Sequence, residues 1–315
     1  MSALHEALCE YVATIRALGT KLHGPALGLR RFVDFLEEQG AERITSELAL
    51  RWATAPVGVQ PATWAARLGM VRGFAVWLHA IDPKTEIPAR GLLTARHRRK
   101  SPYIFSDREI RALMAAAAGL VSPTGLRALS YETLIGLLAV SGLRPGEALA
   151  LDDPDIDLPN AFLIVRQAKF GKARFVPFGE ATRTALAHYR SRRDALCARR
   201  TTAAFLVSEQ GARLGHAAAR RTFAKLSQAI GLRPLTQRPT FGRGLRLQDL
   251  RHTFATRRLI EWYRTGQDVN QRLPGLATYL GHSHVHCTYW YIQAVPELLD
   301  LATERLAHRD DGERP

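Results

Sequence analysis

The sequence predicts a mainly α-helical fold with one small β-sheet. Apolar residues recur at helical spacing in LRRFVDFLEEQG, on a stripe made of Leu29, Phe32, Val33 and Leu36. A second stripe runs through WAARLGMVRGFAVWLHA at Trp64, Leu68, Val71, Ala75 and Leu78. Two short runs, AFLIVRQ and RFVPF, have strand character, and the turn AKFGKA between them indicates a hairpin.

The composition is strongly basic, which favours a polyanionic partner. The chain has 44 Lys and Arg against 29 Asp and Glu, a formal net charge of +15 and a pI near 10.4. Neutralisation of phosphates with counterion release makes nucleic acid the expected partner. Nonspecific, ribosome-like binding and an anionic membrane surface are the alternatives.

The sequence predicts a cytoplasmic, nucleoid-associated protein without a membrane partner. The amino terminus, MSALHEALCE, has glutamates where a signal peptide has a basic region and an apolar core. No apolar run approaches the roughly 18 residues that span a bilayer. Cys9, Cys197 and Cys287 are isolated, which fits a reducing compartment and no disulfide framework.

Two domains joined by a basic linker are predicted, in line with the chain length. Residues 1–90 form a helical domain, residues 91–103 the linker and residues 104–315 a second, mixed domain. Ser106 and Glu109 make a capping box that begins the first helix of the second domain. Basic residues off the apolar stripes or in the linker could contact phosphate or solvent: Arg30, Arg31, Arg67, Arg72, Arg96, Arg98, Arg99 and Lys100.

Short motifs in the second domain carry residues suited to phosphate chemistry. Arg144 precedes Pro145 in SGLRPGEALAL, where the start of a helix and a guanidinium both favour an anion. A pair between Arg144 and Glu147 is the structural alternative. Lys169 and Lys172 lie in the hairpin turn, where they could reach a distant target or simply be solvated.

Further candidates follow towards the carboxyl end. Arg251 shares a helical face with Gln248, three residues earlier, and His282 follows a glycine that ends a helix. Tyr289 and Tyr291 lie about 200° apart on a helix, so they are not expected to serve the same purpose.

Taken together, these motifs resemble the tyrosine recombinase (phage integrase) family over nearly the whole chain. SGLRPGEALAL is similar to the family's first arginine box, and AKFGKARFVPF to its hairpin lysine segment, with Lys169 at the catalytic position. DLRHTFAT is similar to the second arginine box, and YLGH to the histidine motif. Tyr291 follows His282 by nine residues, which is the family's spacing for its nucleophile.

The resemblance implies a site-specific DNA recombinase that cleaves and rejoins duplex DNA through a 3′-phosphotyrosyl intermediate. It would act in integration, excision or transposition of a mobile element. Arg144 and Arg251 would clamp the non-bridging oxygens, and His282 would donate a hydrogen bond to a phosphate oxygen. Tyr291 would attack phosphorus and Lys169 would protonate the leaving 5′ oxygen. No metal or other cofactor is expected, because the covalent intermediate conserves the bond energy.

The resemblance also implies an assembly on DNA. A core-binding domain and a catalytic domain would close around the duplex as a C-shaped clamp, with Lys172 among the DNA contacts. The active form would be a homo-tetramer, or a hetero-tetramer with related recombinases. The carboxyl-terminal tail would pack on a neighbouring protomer or, equally, on its own catalytic domain through Leu298, Leu299, Leu301 and Leu306.

One position departs from the family pattern. Gln248 stands where the family usually has histidine, and an amide can bond to a phosphate oxygen but cannot accept the tyrosine proton. The change is expected to slow cleavage without abolishing it. His252 is expected to point away from the face of Arg251, because it lies one step further along the helix. Tyr289 is expected to pack or to contact backbone.

Other interpretations stay open from the sequence. LDDPDIDL suggests a metal nuclease, but it fails as a calcium loop, and a polar turn explains it. HSHVHC places His282, His284, His286 and Cys287 close together, in a spacing that is poor for zinc. A catalytically impaired DNA-binding accessory protein and a type IB-like topoisomerase are the functional alternatives.

Overall fold

The chain forms two compact units, residues Met1–Lys100 and Ser101–Pro315. The computed structural model describes residues 2–20, 22–93, 101–166, 173–197, 200–234, 244–282, 284–295 and 297–303. Most of these residues are helical and one small sheet lies in the second unit, so the predicted fold class is confirmed. No helix among these residues has the length and apolar character needed to cross a bilayer.

The first unit packs four helices around one apolar core. The helices are α1 (Ala3–Ala17), α2 (His23–Glu38), α3 (Ser46–Thr54) and α4 (Pro61–His79). The stripe of α2 is buried as predicted, and so is that of α4 apart from the half-buried Trp64. Burial of these side chains away from water supplies the main driving force for the packing.

The second unit is built around α6, an apolar helix that contacts α5, α8 and α10. Its helices are α5 (Asp107–Ala118), α6 (Leu126–Ser141), α7 (Pro145–Ala150), α8 (Glu180–Leu196), α9 (His216–Ala229), α10 (Leu247–Arg264), α11 (Val269–Leu280) and α12 (His286–Ala294). The predicted capping box of Ser106 and Glu109 begins α5. A separate apolar cluster joins α10, α11 and α12, and it contains Tyr291.

The sheet of the second unit has three antiparallel strands in the order β1 (Ile156–Asp157), β2 (Phe162–Val165) and β3 (Arg174–Pro177). The predicted hairpin is confirmed, since β2 pairs with β3 from Phe162 opposite Pro177 to Val165 opposite Arg174. Strand β1 was not predicted. The turn that carries Lys169 and Lys172 lies outside the described residues.

The acidic stretch before the sheet is neutralised by basic side chains. Asp153 lies 2.8 Å from the guanidinium of Arg193, which is only 1% exposed. Asp155 pairs with Arg166, and Asp152 pairs with Arg213. These carboxylates therefore fix α8 and neighbouring loops to the sheet, a stronger structural role than the predicted polar turn.

The chain directly after α12 packs back on its own unit at Val295 and Leu298. Leu298 is fully buried in the cluster that contains Tyr291, and the Arg264 guanidinium lies 2.8 Å from the Glu297 carboxylate. Leu299 is 45% exposed. Leu306, the last member of the predicted tail stripe, lies outside the described residues.

Candidate active site

Arg144 lies at the amino-terminal end of α7, as the sequence predicted. Its Nη2 donates to the carbonyl of Gly281, 2.8 Å away, which ties the start of α7 to the end of α11. Gly142, two residues earlier, ends α6 with φ of 62°, and a Cβ there would lie 2.5 Å from the Phe254 ring. This position requires glycine both for its backbone and for its space. The turn thus directs the Arg144 side chain, still 40% exposed, to the end of α11.

Glu147 organises the arginines around it. Its carboxylate accepts from Arg144 Nη1 at 2.7 Å and from both Nη1 and Nη2 of Arg174, at 3.1 and 2.7 Å. Burial alone would raise the pKa of Glu147, but the hydrogen bonds from Arg174 and Arg144 outweigh it and lower the pKa to about 2. From the sequence, Glu147 was expected only as an alternative partner for Arg144, and Arg174 was not predicted to be a site residue.

Arg251 is held almost wholly inside the unit, with 1% exposure. Its Nη1 donates to the carbonyl of Gly142 at 2.8 Å and its Nη2 to that of Leu280 at 2.6 Å. Burial and the neighbouring charge of Arg144 lower the pKa of Arg251 to about 10, which still leaves the group cationic at neutral pH. A buried guanidinium whose Nη1 and Nη2 both donate to carbonyls is held rigidly, which suits it to bind an anion.

His282 follows Gly281, which ends α11 in the left-handed region at φ 65°. The Nδ1 of His282 lies 2.8 Å from the hydroxyl of Thr288, a residue fully buried in α12. Burial and the nearby guanidinium of Arg251 lower the pKa of His282 to about 4, so its imidazole is neutral at neutral pH. When the Thr288 hydroxyl donates to Nδ1, Nε2 carries the proton and can donate to a phosphate oxygen.

Tyr291 and Tyr289 lie in different environments, as the helical spacing predicted. Tyr291 is 2% exposed and its ring stacks on that of His282, whereas Tyr289 is 42% exposed. Burial raises the pKa of Tyr291, although the positive charges of Arg251 and Arg144 oppose the rise. The Tyr289 side chain is only partly covered by the protein, and the expectation that it packs or contacts backbone stays a prediction.

The same motifs are shared with known proteins. The model of the phage integrase family matches residues 104–297, well over half of the chain. The chain belongs to the phage integrase family. It is 44% identical over 313 residues to "Putative integrase/recombinase y4rB" of Sinorhizobium fredii, with 98% of each chain covered. It is 30% identical to tyrosine recombinase XerD of Caulobacter vibrioides, over 94% of this chain and 88% of that protein.

Solved structures share the fold of this integrase family member. The integrase of transposon Tn1549 in complex with transposon right end DNA superposes with a TM-score of 0.64 at 17% identity, over 96% of this chain and 99% of that one. XerH site-specific recombinase bound to difH DNA gives the same TM-score and identity over 88% and 77% of the two chains. From its family and its curated relatives, the protein is a tyrosine-recombinase-type enzyme of site-specific DNA recombination, which breaks and rejoins DNA.

The position that departs from the family pattern has no hydrogen bond to the nucleophile candidate in the described part of the chain. Gln248 is half-buried on α10, and within the described residues no hydrogen bond joins its amide to Tyr291. His252, on the same helix, lies next to the Tyr291 hydroxyl instead. His252 Nδ1 lies 3.2 Å from the Tyr291 hydroxyl, so the expectation that His252 points away from the site is wrong. Helix α12 packs against α10, and this packing brings Tyr291 to His252.

The predicted DNA contacts of the first unit divide into two classes. Arg30 and Arg31 are exposed on α2. Arg67 instead stacks 3.6 Å from the Trp52 ring centre and donates to the Trp52 carbonyl at 2.8 Å. Arg72 donates to the Pro88 carbonyl at 2.7 Å. Arg67 and Arg72 thus have structural partners inside the first unit, and their contact with phosphate stays a prediction.

Several predicted site residues are outside the described part of the chain. They are Arg96, Arg98, Arg99 and Lys100 of the linker and Lys169 and Lys172 of the hairpin turn. Among the described residues, the ligand atoms of the HSHVHC histidines and cysteine are not gathered within 4.8 Å in any group of three. The imidazole of His282 is instead engaged with Thr288.

Proposed function

We propose that this integrase family member cleaves and rejoins duplex DNA through a covalent bond between Tyr291 and a 3′ phosphate. The observation that carries the proposal is the environment of one hydroxyl. The Tyr291 hydroxyl is buried, lies 3.2 Å from His252 Nδ1 and is subject to the positive charge of Arg251. Arg144 and His282 complete the site, since Arg144 donates to the carbonyl of Gly281 and His282 is the next residue in the chain.

The charges of the site match those of a phosphoryl-transfer transition state. Arg144, Arg174 and Arg251 carry three positive charges, and Glu147 carries one negative charge. These four groups therefore leave an excess of two positive charges. A phosphodiester brings one negative charge, and attack by a phenolate brings a second onto the pentavalent transition state. The site is thus closer in charge to the transition state than to the bound substrate, which is what catalysis requires.

The bond changes balance without an external energy source. The Tyr291 oxygen bonds to phosphorus as the bond from phosphorus to the 5′ oxygen breaks, and the 3′ phosphate stays on the protein. Lys169 protonates the departing 5′ oxygen in this proposal. A 5′ hydroxyl then attacks the phosphotyrosine in the reverse reaction, so one ester replaces another and neither ATP nor a metal ion is consumed.

Duplex DNA is the substrate, and both units contribute contacts in this proposal. The exposed Arg30 and Arg31 of α2, the basic linker and Lys172 would bind phosphates. Cleavage of two strands at two sites needs four copies of the site, which supports a tetramer on DNA. The fold shared with the Tn1549 transposon integrase and the similarity to the y4rB integrase/recombinase support a role in moving a mobile element.

A trapping experiment tests the proposal. The substrate is a nicked duplex enriched from a random library by binding to the wild-type protein, so that the cleaved end fragment diffuses away and traps the covalent complex. In EDTA, we expect a denaturant-resistant complex on the strand that keeps its 5′ label, and a tryptic peptide bearing a nucleotide on Tyr291. An adduct on another residue, or no complex on a duplex that is bound, would contradict the proposal.

The linker gives a prediction about binding. Neutralising Arg98, Arg99 and Lys100 to alanine is expected to lower the slope of log affinity against log salt by about 2 to 3, because each phosphate contact contributes about 0.9 to it. Binding of the enriched duplex is measured by fluorescence anisotropy from 50 to 300 mM salt. An unchanged slope would remove the linker from the DNA contacts.

A further inference from the structure

The chemistry proposed for Tyr291 needs a proton acceptor, because burial raises the pKa of its phenol. The family pattern assigns that task to the position of Gln248, whose neutral amide cannot take a proton. His282 is not placed for it, since its Nδ1 is engaged with Thr288 at 2.8 Å and no hydrogen bond joins it to Tyr291 within the described residues.

His252 has the geometry that the task requires. Its Nδ1 lies 3.2 Å from the Tyr291 hydroxyl, within hydrogen-bond reach for direct proton transfer. The centre of the imidazole ring lies 5.5 Å from that of the Tyr291 ring and 5.5 Å from that of the Trp290 ring, which it meets in a T-shaped arrangement. These contacts with α12 hold the imidazole between α10 and the nucleophile.

The electrostatic surroundings keep His252 in its accepting form. Burial is the largest cause, followed by the charges of Arg246 and Arg251, and together they lower the pKa of His252 to about 4. The imidazole is therefore neutral at neutral pH, and the tautomer with its proton on Nε2 presents a lone pair from Nδ1 to the phenol. The arriving phosphate adds negative charge beside the imidazole, which favours the protonated product of the transfer.

We propose that His252 is the general base for Tyr291 in this chain, replacing the histidine that Gln248 lacks. The inference rests on the proposed function and specifies its first proton transfer. As the Tyr291 oxygen bonds to phosphorus, its proton moves to His252 Nδ1, and the imidazolium returns that proton when the phosphotyrosine is resolved. The hydroxyl becomes far more acidic as the new bond forms, so a weak base can accept the proton in the transition state.

The test compares single-turnover trapping rates on the enriched nicked duplex for wild type, His252→Phe and His252→Ala. Phenylalanine keeps a ring against Trp290 and Tyr291 but has no acceptor, and a general base contributes about 10²- to 10⁴-fold. We therefore expect the His252→Phe rate to fall by about 100-fold or more, with unchanged affinity for the duplex. His188→Ala removes an exposed histidine of α8 and is expected to leave the rate unchanged.

Two further measurements distinguish a base from a packing residue. Added imidazole is expected to restore part of the His252→Ala rate, where a cavity is open, but not the His252→Phe rate, where the ring fills it. Gln248→His in the His252→Phe background is expected to raise the trapping rate at least tenfold, because it places a proton acceptor at position 248. A purely structural role for His252 predicts neither rescue.

A modified substrate distinguishes proton removal from Tyr291 from proton donation to the leaving group. A duplex with sulfur in place of the bridging 5′ oxygen has a leaving group that needs no proton, yet the nucleophile must still lose one. The His252→Phe deficit is expected to persist on that duplex. Equal rates for wild type and His252→Phe on the ordinary duplex, or a deficit that vanishes with sulfur, would overturn the assignment while leaving the proposed function intact. Failure of the wild type to form any covalent complex would overturn both.

Discussion

Tyr291→Phe is expected to abolish covalent trapping on the nicked duplex completely. The change removes one oxygen atom, and with it the only atom that can form the phosphotyrosyl bond in the proposed reaction. Phenylalanine suits the site otherwise, because Tyr291 is 2% exposed and lies in an apolar cluster of α10, α11 and α12. The hydroxyl contributes a hydrogen bond worth about 1 kcal/mol, so folding and DNA binding are expected to survive.

Tyr289→Phe is the matched control for that experiment. The residue is two positions away on the same helix, and its side chain is 42% exposed on a different face. Its loss of the same oxygen is expected to leave trapping unchanged. Trapping by Tyr291→Phe would remove Tyr291 as the nucleophile, and trapping lost only in Tyr289→Phe would transfer the role to Tyr289.

Local sequence signals predicted most of the framework of the site. The start of α7 at Arg144, the hairpin of β2 and β3 and the end of α11 at Gly281 each depend on residues close together in the chain. Proline at the first helical position, turn residues and a glycine with positive φ act locally. For this reason one sequence was enough to place them.

Contacts made between distant segments could not be predicted in the same way. Adjacent residues of a helix point about 100° apart, and on that basis His252 was expected to point away from the face of Arg251. That angle does not predict where another helix packs against α10. Helix α12 brings Tyr291 within 3.2 Å of His252, although the two residues are 39 positions apart in the sequence. Arg67 illustrates the same limit, because its stacking on Trp52 depends on how α3 and α4 pack.

Glu147 is the residue whose loss is expected to damage both the stability and the chemistry of the second unit. Its carboxylate is 8% exposed and balances the positive charges of Arg144 and Arg174. The Arg174 side chain is 11% exposed. Glu147→Gln keeps the shape but removes the charge, and it places an amide NH₂ group against guanidinium donors. Breaking a buried pair leaves uncompensated charge, which typically costs about 3 to 5 kcal/mol.

The stability that ionised Glu147 contributes depends on pH, with a definite sign. The pKa of Glu147 in the folded protein is lowered to about 2 from its ordinary value of 4.5, so the ionised form contributes to stability above pH 4.5. That contribution, about 3 kcal/mol, is lost as pH falls from about 4.5 to about 2. The free energies of unfolding of wild type and Glu147→Gln should therefore differ most at neutral pH and converge towards pH 2, as measured by urea denaturation across that range.

Glu180→Gln provides the comparison that makes the Glu147 result specific. Glu180 also pairs with an arginine, Arg183 at 2.8 Å, but its side chain is 71% exposed at the start of α8. Exposed pairs contribute little because water screens them, so Glu180→Gln should leave both stability and trapping close to wild type. Glu147→Gln should also trap more slowly at saturating DNA, since Arg144 loses the carboxylate that orients it. Equal stabilities of the two variants at neutral pH would contradict the role of Glu147 as the buried counter-charge of the arginine cluster.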